Sequence, residues 1–297
     1  MRHMTAEVFD GVAFAAQLEA DLRKKLEVFF AKSATQPSVG ALTIAAIAFT
    51  QDEGSKLYSE VKAEVAARLG IEYKIYEFLF TNPLEEILAK IRQLNANHGV
   101  TGIIIQKPRR ASYEKNVPAA QADFNAWWRT MVEALAPAKD VDGLTGRGLV
   151  PPATCAAVLK IMDLHQFVHP DKALIVGRSD LLGLPLHKKL LELGWPEESV
   201  SLVGRQELAA LKARPEKLSD FALIVSAVGI PNLIDASEIA PHSFLIDVGE
   251  PQADFAASCQ QKARFITPVP GGVGPLTVVC LMQNCLVLAE QSQKSVR

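Results

Sequence analysis

Tyr58 and Lys62 stand four residues apart in SKLYSEVK, Ser55 to Lys62, so on a helix both side chains leave the same face. By itself such a pair is most often structural, with the ring packed and the ammonium in water. Ser55, three residues before the tyrosine, suits a helix N-cap. Gln106 ends the apolar run GIIIQ, where a polar side chain either faces a cleft or caps the strand end. In KDVDG two acids, Asp140 and Asp142, precede a glycine, which reads as a turn.

The second half carries a different chemistry. VGRSDLLGLP, Val176 to Pro185, follows a β-rich run and opens a helix. There, backbone N–H groups and the positive end of the helix dipole attract a pyrophosphate. Its glycines, Gly177 and Gly183, are weak evidence because strand-to-helix turns often carry glycine. Arg178 is more telling, since a guanidinium grips a pyrophosphate or a 2′-phosphate through two bonds. After the next β-rich run the chain reads LVGRQ, with Arg205 and no carboxylate where an acid would bind a free ribose hydroxyl. The expected cofactor is therefore NADP rather than NAD; a solvated surface arginine is an equal reading of Arg205.

These residues need a scaffold, and the apolar pattern supplies one. A helix is expected from Val12 to Phe30, strands at Leu42 to Phe49, Tyr73 to Phe78 and Gly102 to Gln106, and helices beginning near Ser55 and Asn82. Pro, Gly and Asp break the pattern between Ala136 and Thr154. The runs KALIVG, SVSLVG, FALIVSAVG and SFLIDVG then predict a doubly wound parallel sheet. A last helix is expected from Val278 to Gln291, after TPVPGGVGPLT, whose prolines and glycines make a stiff, bare backbone.

The chain has 297 residues, 49% hydrophobic and 22% charged, with a formal net charge of −2. Without a basic surplus, no nucleic-acid partner is expected. Apolar runs such as Ala41 to Phe49 are too short to span a bilayer, so no membrane partner and a cytoplasmic location are expected. The opening MRHM reads as an addition foreign to the fold. Cys155, Cys259, Cys280 and Cys285 form no C-x-x-C pair and read as reduced, mostly buried thiols. His165 and His169 have i, i+4 spacing without the glutamate of a zinc-protease helix, so no metal is expected.

Taken together, SKLYSEVK, GIIIQKP, KDVDG, VGRSDLLGLP, IVSAVGIP, LIDVG and TPVPGGVGPLT resemble, in order, the motifs of the bifunctional methylenetetrahydrofolate dehydrogenase/methenyltetrahydrofolate cyclohydrolase family. The resemblance implies an α/β fold of two domains with a cleft between them. Residues 1–148 plus 274–297 would form an α/β folate domain, and 149–273 a Rossmann-like NADP domain. It implies oxidation of 5,10-methylenetetrahydrofolate with NADP and hydrolysis of the methenyl product to 10-formyltetrahydrofolate by a homodimer. Lys62 becomes the catalytic lysine, Tyr58 packs on the folate, Gln106 supports Lys62, and Ser55 lies near the reacting water. A lysine held beside a ring and away from water has a lowered pKa and can trade protons near neutrality. Asp142, Pro270, Gly271 and Gly274 would hold the folate. Gly177, Arg178, Ser179, Arg205, Ala227, Gly229, Pro231, Asp247, Gly272 and Thr277 would hold the dinucleotide.

The chain departs from the family in QKPRRASYEK, where Lys107, Arg109 and Arg110 replace an apolar Leu-Pro-Leu-Pro continuation. Those cations read either as a rim attracting a polyglutamate tail or as a solvated basic loop. Trp127 and Trp128 in FNAWWRTMV are expected in the core or a dimer contact. The rival readings are another Rossmann dehydrogenase, such as a shikimate-type enzyme, or a binding homologue that has lost catalysis.

Overall fold

A computed structural model describes residues 5–34, 41–119, 123–167, 172–213 and 217–295. Met1 to Met4 and His169 lie outside the described residues. In chain order the elements are β1 (Glu7–Val8), α1 (Gly11–Ala34), β2 (Thr43–Phe49), α2 (Glu53–Arg68), β3 (Glu72–Phe78), α3 (Leu84–Ala96), β4 (Gly102–Ile105), α4 (Arg110–Asn116) and α5 (Phe124–Glu133). They continue with α6 (Ala153–Leu164), β5 (Ala173–Val176), α7 (Gly183–Glu192), β6 (Val200–Val203), α8 (Arg205–Lys212), β7 (Leu223–Ser226), β8 (Phe244–Asp247), β9 (Phe265–Ile266) and α9 (Val273–Ser295). The chain divides into two compact units: Met1–Leu18 with Pro152–Cys280, and Glu19–Pro151 with Leu281–Arg297.

In the unit built on Glu19–Pro151, a parallel sheet has the order β3-β2-β4. Its middle strand, TIAAIAF, is buried at all seven positions, as a continuous apolar run demands when both faces are covered. Helix α3 buries Ile87, Ile91 and Leu94 along one stripe, and Glu85 and Glu86 in its first turn suit the helix dipole. Helix α2 is different. Its buried positions are Ser55, Ser59, Lys62, Val65 and Ala66, so the N-terminal half of its inward face is polar. Trp127 joins the core, with its ring 4.8 Å from Phe49 and 4.7 Å from Tyr113; Trp128 is also buried.

The other unit holds a six-stranded parallel sheet in the order β1-β9-β8-β7-β5-β6. The order in which strands are added reverses between β5 and β7, which run parallel; this is the switch point at which doubly wound sheets bind ligands. Four of these strands match the runs expected from sequence. β1 and β9 were not expected, because two-residue strands leave no period to read. β1 reaches the sheet from the far end of the chain, pairing Glu7 with Phe265 and Val8 with Ile266.

Two boundaries differ from expectation. The N-terminal segment joins the dinucleotide-type unit rather than the folate domain, because β1 completes its sheet. α9 begins at Val273 rather than Val278, so Gly274, Pro275 and Thr277 lie in its first turns. A proline there costs nothing, since the first N–H groups of a helix lack intrahelical partners. α9 is also long and apolar enough to cross a membrane, but 67% of its apolar window is buried inside the protein.

Candidate active site

The polar face of α2 organises the first site. Lys62 is 7% exposed, and its Nζ donates to Gln106 Oε1 at 2.6 Å. Gln106 is half-buried directly after β4, with its own N–H bonded to Ile47 O in β2. The register of two buried strands thereby fixes the partner of the lysine. Tyr58 is half-buried one turn earlier on α2.

Ser55 is neither the N-cap nor directed to solvent. Asp52 occupies the N-cap position, and Ser55 Oγ donates to its Oδ2 at 2.5 Å. Asp52 also accepts from Ser112 Oγ at 2.8 Å and from Arg109 Nε at 3.0 Å. Burial opposes its ionisation, yet the bonds from Ser55, Ser112 and Arg109 outweigh burial and hold the carboxyl below the usual range. Asp52 therefore ties the start of α2 to the segment after Gln106, an anchoring role that no motif announces.

That anchor also resolves the basic segment. Arg109, itself exposed, bonds the buried Asp52, Arg110 meets Asn125 at 2.5 Å and lies over the Phe124 ring, and Lys107 sits 5.1 Å from the centre of the Trp128 ring. These are stem-packed cations with local partners.

In KDVDG the two acids have separate tasks. Asp140 is fully buried; it accepts from Leu144 N at 2.9 Å and from Thr145 N and Oγ1 at 2.7 Å each. The turn is thus made by Asp140, and Asp142 is half-buried beyond it. Asn284 of α9 braces the same loop, donating to Val141 O and Pro151 O at 3.0 Å each. Asp142 lies near the α2 face through Tyr73, whose hydroxyl is buried beside Ser59 without a well-formed hydrogen bond. Burial first, and the charge of Asp142 second, push the Tyr73 phenol upward.

In the second unit, the turns after β5 and β7 meet at the switch point. A Cβ on Gly183 would stand 1.7 Å from Gly177 O, so the start of α7 presses directly on the turn that follows β5. Ser179 Oγ accepts from Leu182 N at 3.2 Å within this turn. Ala227 N bonds Val176 O, and Gly229, with φ +71, faces Glu250 O too closely for any side chain. Pro231 is exposed beyond it. This bare backbone over strand ends fits a dinucleotide.

Three of the residues expected at the cofactor also carry internal duties. Asp247 is 1% exposed and accepts from Gly249 N at 2.9 Å and Phe255 N at 3.0 Å, so it shapes a loop. Burial pushes its carboxyl up to about 6. Thr277 Oγ1 bonds back to Val273 O at 3.3 Å. Gly272 is buried, a Cβ there would strike Pro268 O, and the backbone of Gly11 packs against Gly271 and Gly272. Pro270 and Gly274 are exposed, and nothing in the chain stands within 4 Å of where a Gly274 Cβ would be.

Both arginines have partners within the protein. Arg178 donates to Glu207 Oε2 from Nε at 3.0 Å and to Oε1 from Nη2 at 2.9 Å. Arg205 reaches Val228 O at 3.3 Å. An acid, Glu207, does follow β6, three residues beyond Gly204. Among the other readings, all four cysteines are free and buried. His165 sits at the C-cap of α6 among Phe9, Phe244 and Phe265, with burial lowering its pKa.

A doubly wound parallel sheet with a glycine-lined switch point is the architecture of a dinucleotide-binding unit, and it stands in one chain with a unit that holds a buried lysine on a polar helix face. Residues 9–142 match the catalytic domain of tetrahydrofolate dehydrogenase/cyclohydrolase, and residues 152–293 match its NAD(P)-binding domain. The chain belongs to the tetrahydrofolate dehydrogenase/cyclohydrolase family. It is 33% identical to the bifunctional protein FolD of Acidithiobacillus ferrooxidans over 97% of both chains. A methylenetetrahydrofolate dehydrogenase from the silkworm Bombyx mori superposes with a TM-score of 0.79 at 27% identity, covering 97% of this chain and 99% of the other. The Campylobacter jejuni FolD dehydrogenase/cyclohydrolase gives 0.78 at 25% identity, with the same coverage. The protein is a methylenetetrahydrofolate dehydrogenase and methenyltetrahydrofolate cyclohydrolase of one-carbon metabolism, and the reading as a binding homologue without catalysis is not favoured.

Proposed function

We propose that Lys62 is the acid–base group of the hydrolytic step and that Gln106 positions it. The observation that carries this reading is the 2.6 Å bond between a buried lysine and a strand-end glutamine on the polar face of α2. Lys62 relays a proton between the water adding to the methenyl carbon and the ring nitrogen that departs as 10-formyltetrahydrofolate forms. Gln106 accepts from Nζ and so limits the directions in which that proton can be passed. Tyr58 packs on the folate, and Asp142 accepts from the amino-pyrimidine edge of the pterin. Pro270, Gly271 and Gly274 line the folate's path. Ser55 acts through Asp52 on the start of α2 rather than on water.

NADP, when bound, supplies the two-electron acceptor for oxidation of the one-carbon bridge. The turn of Gly177, Arg178 and Ser179, with Arg205, Ala227 and Pro231, would hold it; its support is the glycine-lined backbone at the β5/β7 ends. Changing Lys62→Met should lower hydrolysis of the methenyl substrate by about 10²–10⁴-fold, the usual worth of a general acid–base group. Dinucleotide affinity should hold, because Lys62 lies in the other unit. Near-normal hydrolysis by the purified variant would remove Lys62 from this role.

A cytoplasmic homodimer that uses neither nucleic acid nor membrane completes the proposal. Its support is the family resemblance and the net charge of −2. Sedimentation equilibrium should give twice the 32.2 kDa chain mass; a single-chain mass would count against it.

A further inference from the structure

In doubly wound sheets, the group at the end of the second strand decides between a free and a phosphorylated adenosine ribose. Here that region holds two arginines and an acid. Arg178, after β5, turns the edge formed by Nε and Nη2 onto both oxygens of Glu207, and Nη2 also donates to Leu202 O at 2.9 Å. That edge is the one with which a guanidinium grips a phosphate through two bonds. Glu207 is held from behind as well, since Gly204 N–H donates to its Oε2 at the start of α8. Gly204 leaves room for the pairing: a Cβ there would stand 3.3 Å from Glu207 Oε2 and 3.9 Å from Arg178 Nε. The carboxylate is therefore fixed by backbone and guanidinium together.

We propose that Glu207 sets the cofactor selectivity of this enzyme: it occupies the phosphate-gripping edge of Arg178 and offers a carboxylate to a ribose hydroxyl, so NAD competes with NADP far better than two arginines alone would allow. The inference rests on the reading that the dinucleotide lies over the β5 and β6 ends. A dianionic 2′-phosphate has to displace Glu207 from Arg178 and then lie beside a like charge. A 2′-hydroxyl, by contrast, donates to the carboxylate and leaves the ion pair in place. Arg205, which among the described residues bonds Val228 O, can also attract a phosphate, so NADP is weakened rather than refused.

The test is isothermal titration of the whole protein with NADP and with NAD at one ionic strength, for wild type, Glu207→Gln and Glu207→Gln/Arg178→Ala. The glutamine keeps an oxygen for Gly204 N–H, and an unchanged unfolding midpoint of the ligand-free variant checks that the turn is intact. Wild type should bind the two dinucleotides within about tenfold of each other. Glu207→Gln should shift the ratio toward NADP by about tenfold or more, the scale of one charge-assisted bond gained. Adding Arg178→Ala should abolish that gain. An unchanged ratio in Glu207→Gln, or a gain that survives loss of Arg178, overturns the role of Glu207. Failure of wild type to bind either dinucleotide overturns the reading of the unit itself, and the inference with it.

Discussion

Asp140 and Asp142 show how one motif divides its work between neighbours. Asp140 holds three bonds within the loop, so Asp142 is not needed for the turn. If Asp142 meets the pterin edge, Asp142→Asn exchanges an acceptor for a donor facing the folate's own donors, a penalty of about 1–3 kcal/mol. Folate affinity should fall about tenfold or more, equivalent to about 1.4 kcal/mol, while unfolding and dinucleotide binding stay near wild type. Calorimetric titration with a folate analogue reads this directly. Unchanged affinity would place the pterin elsewhere.

At the scale of elements, α2 and α9 do more than their sequences announce. The inward face of α2 near its N-terminus is serine, serine and lysine, a polar patch where a core stripe would otherwise run. α9 reads as a terminal core helix, yet Asn284 within it carries the carbonyls on either side of the Asp142 loop. Asn284→Ala leaves Val141 O and Pro151 O without that donor, and a stability loss of about 1–3 kcal/mol is expected by urea denaturation. Folate affinity should weaken although Asn284 is placed to brace the loop and not to touch ligand. Normal stability together with normal folate affinity would reduce Asn284 to a passive contact.

At the scale of the molecule, the two ends of the chain are exchanged between the units. β1 and the start of α1 complete the dinucleotide unit, and the last residues of α9 complete the catalytic one. Phe9 is the anchor of the first exchange: it is 6% exposed, with its ring 5.7 Å from Phe265 and 6.1 Å from His165. Phe9→Ala should therefore destabilise the dinucleotide unit by about 3–5 kcal/mol, the usual cost of removing a buried phenyl group. Chemical denaturation followed by dinucleotide binding checks it; a change below about 1 kcal/mol would mean that the segment is only loosely attached.

The sequence by itself determined the α/β class, seven of the nine strands among the described residues, and the family, because long buried runs and fixed-spacing motifs are local properties of the chain. It could not determine where β1 goes, since two residues have no period and their partner lies 258 positions away in register, Glu7 with Phe265. Nor could it tell which acid of KDVDG makes the turn, or that Ser55 serves Asp52. Arg178 makes the difference plain. Its charge and its place after a strand are written in VGRSD, but whether its guanidinium is open to a phosphate depends on Glu207, 29 residues on, where the fold brings the two within bonding distance. Hydrogen bonds between residues distant in the chain are made by packing, and only the tertiary structure decides them.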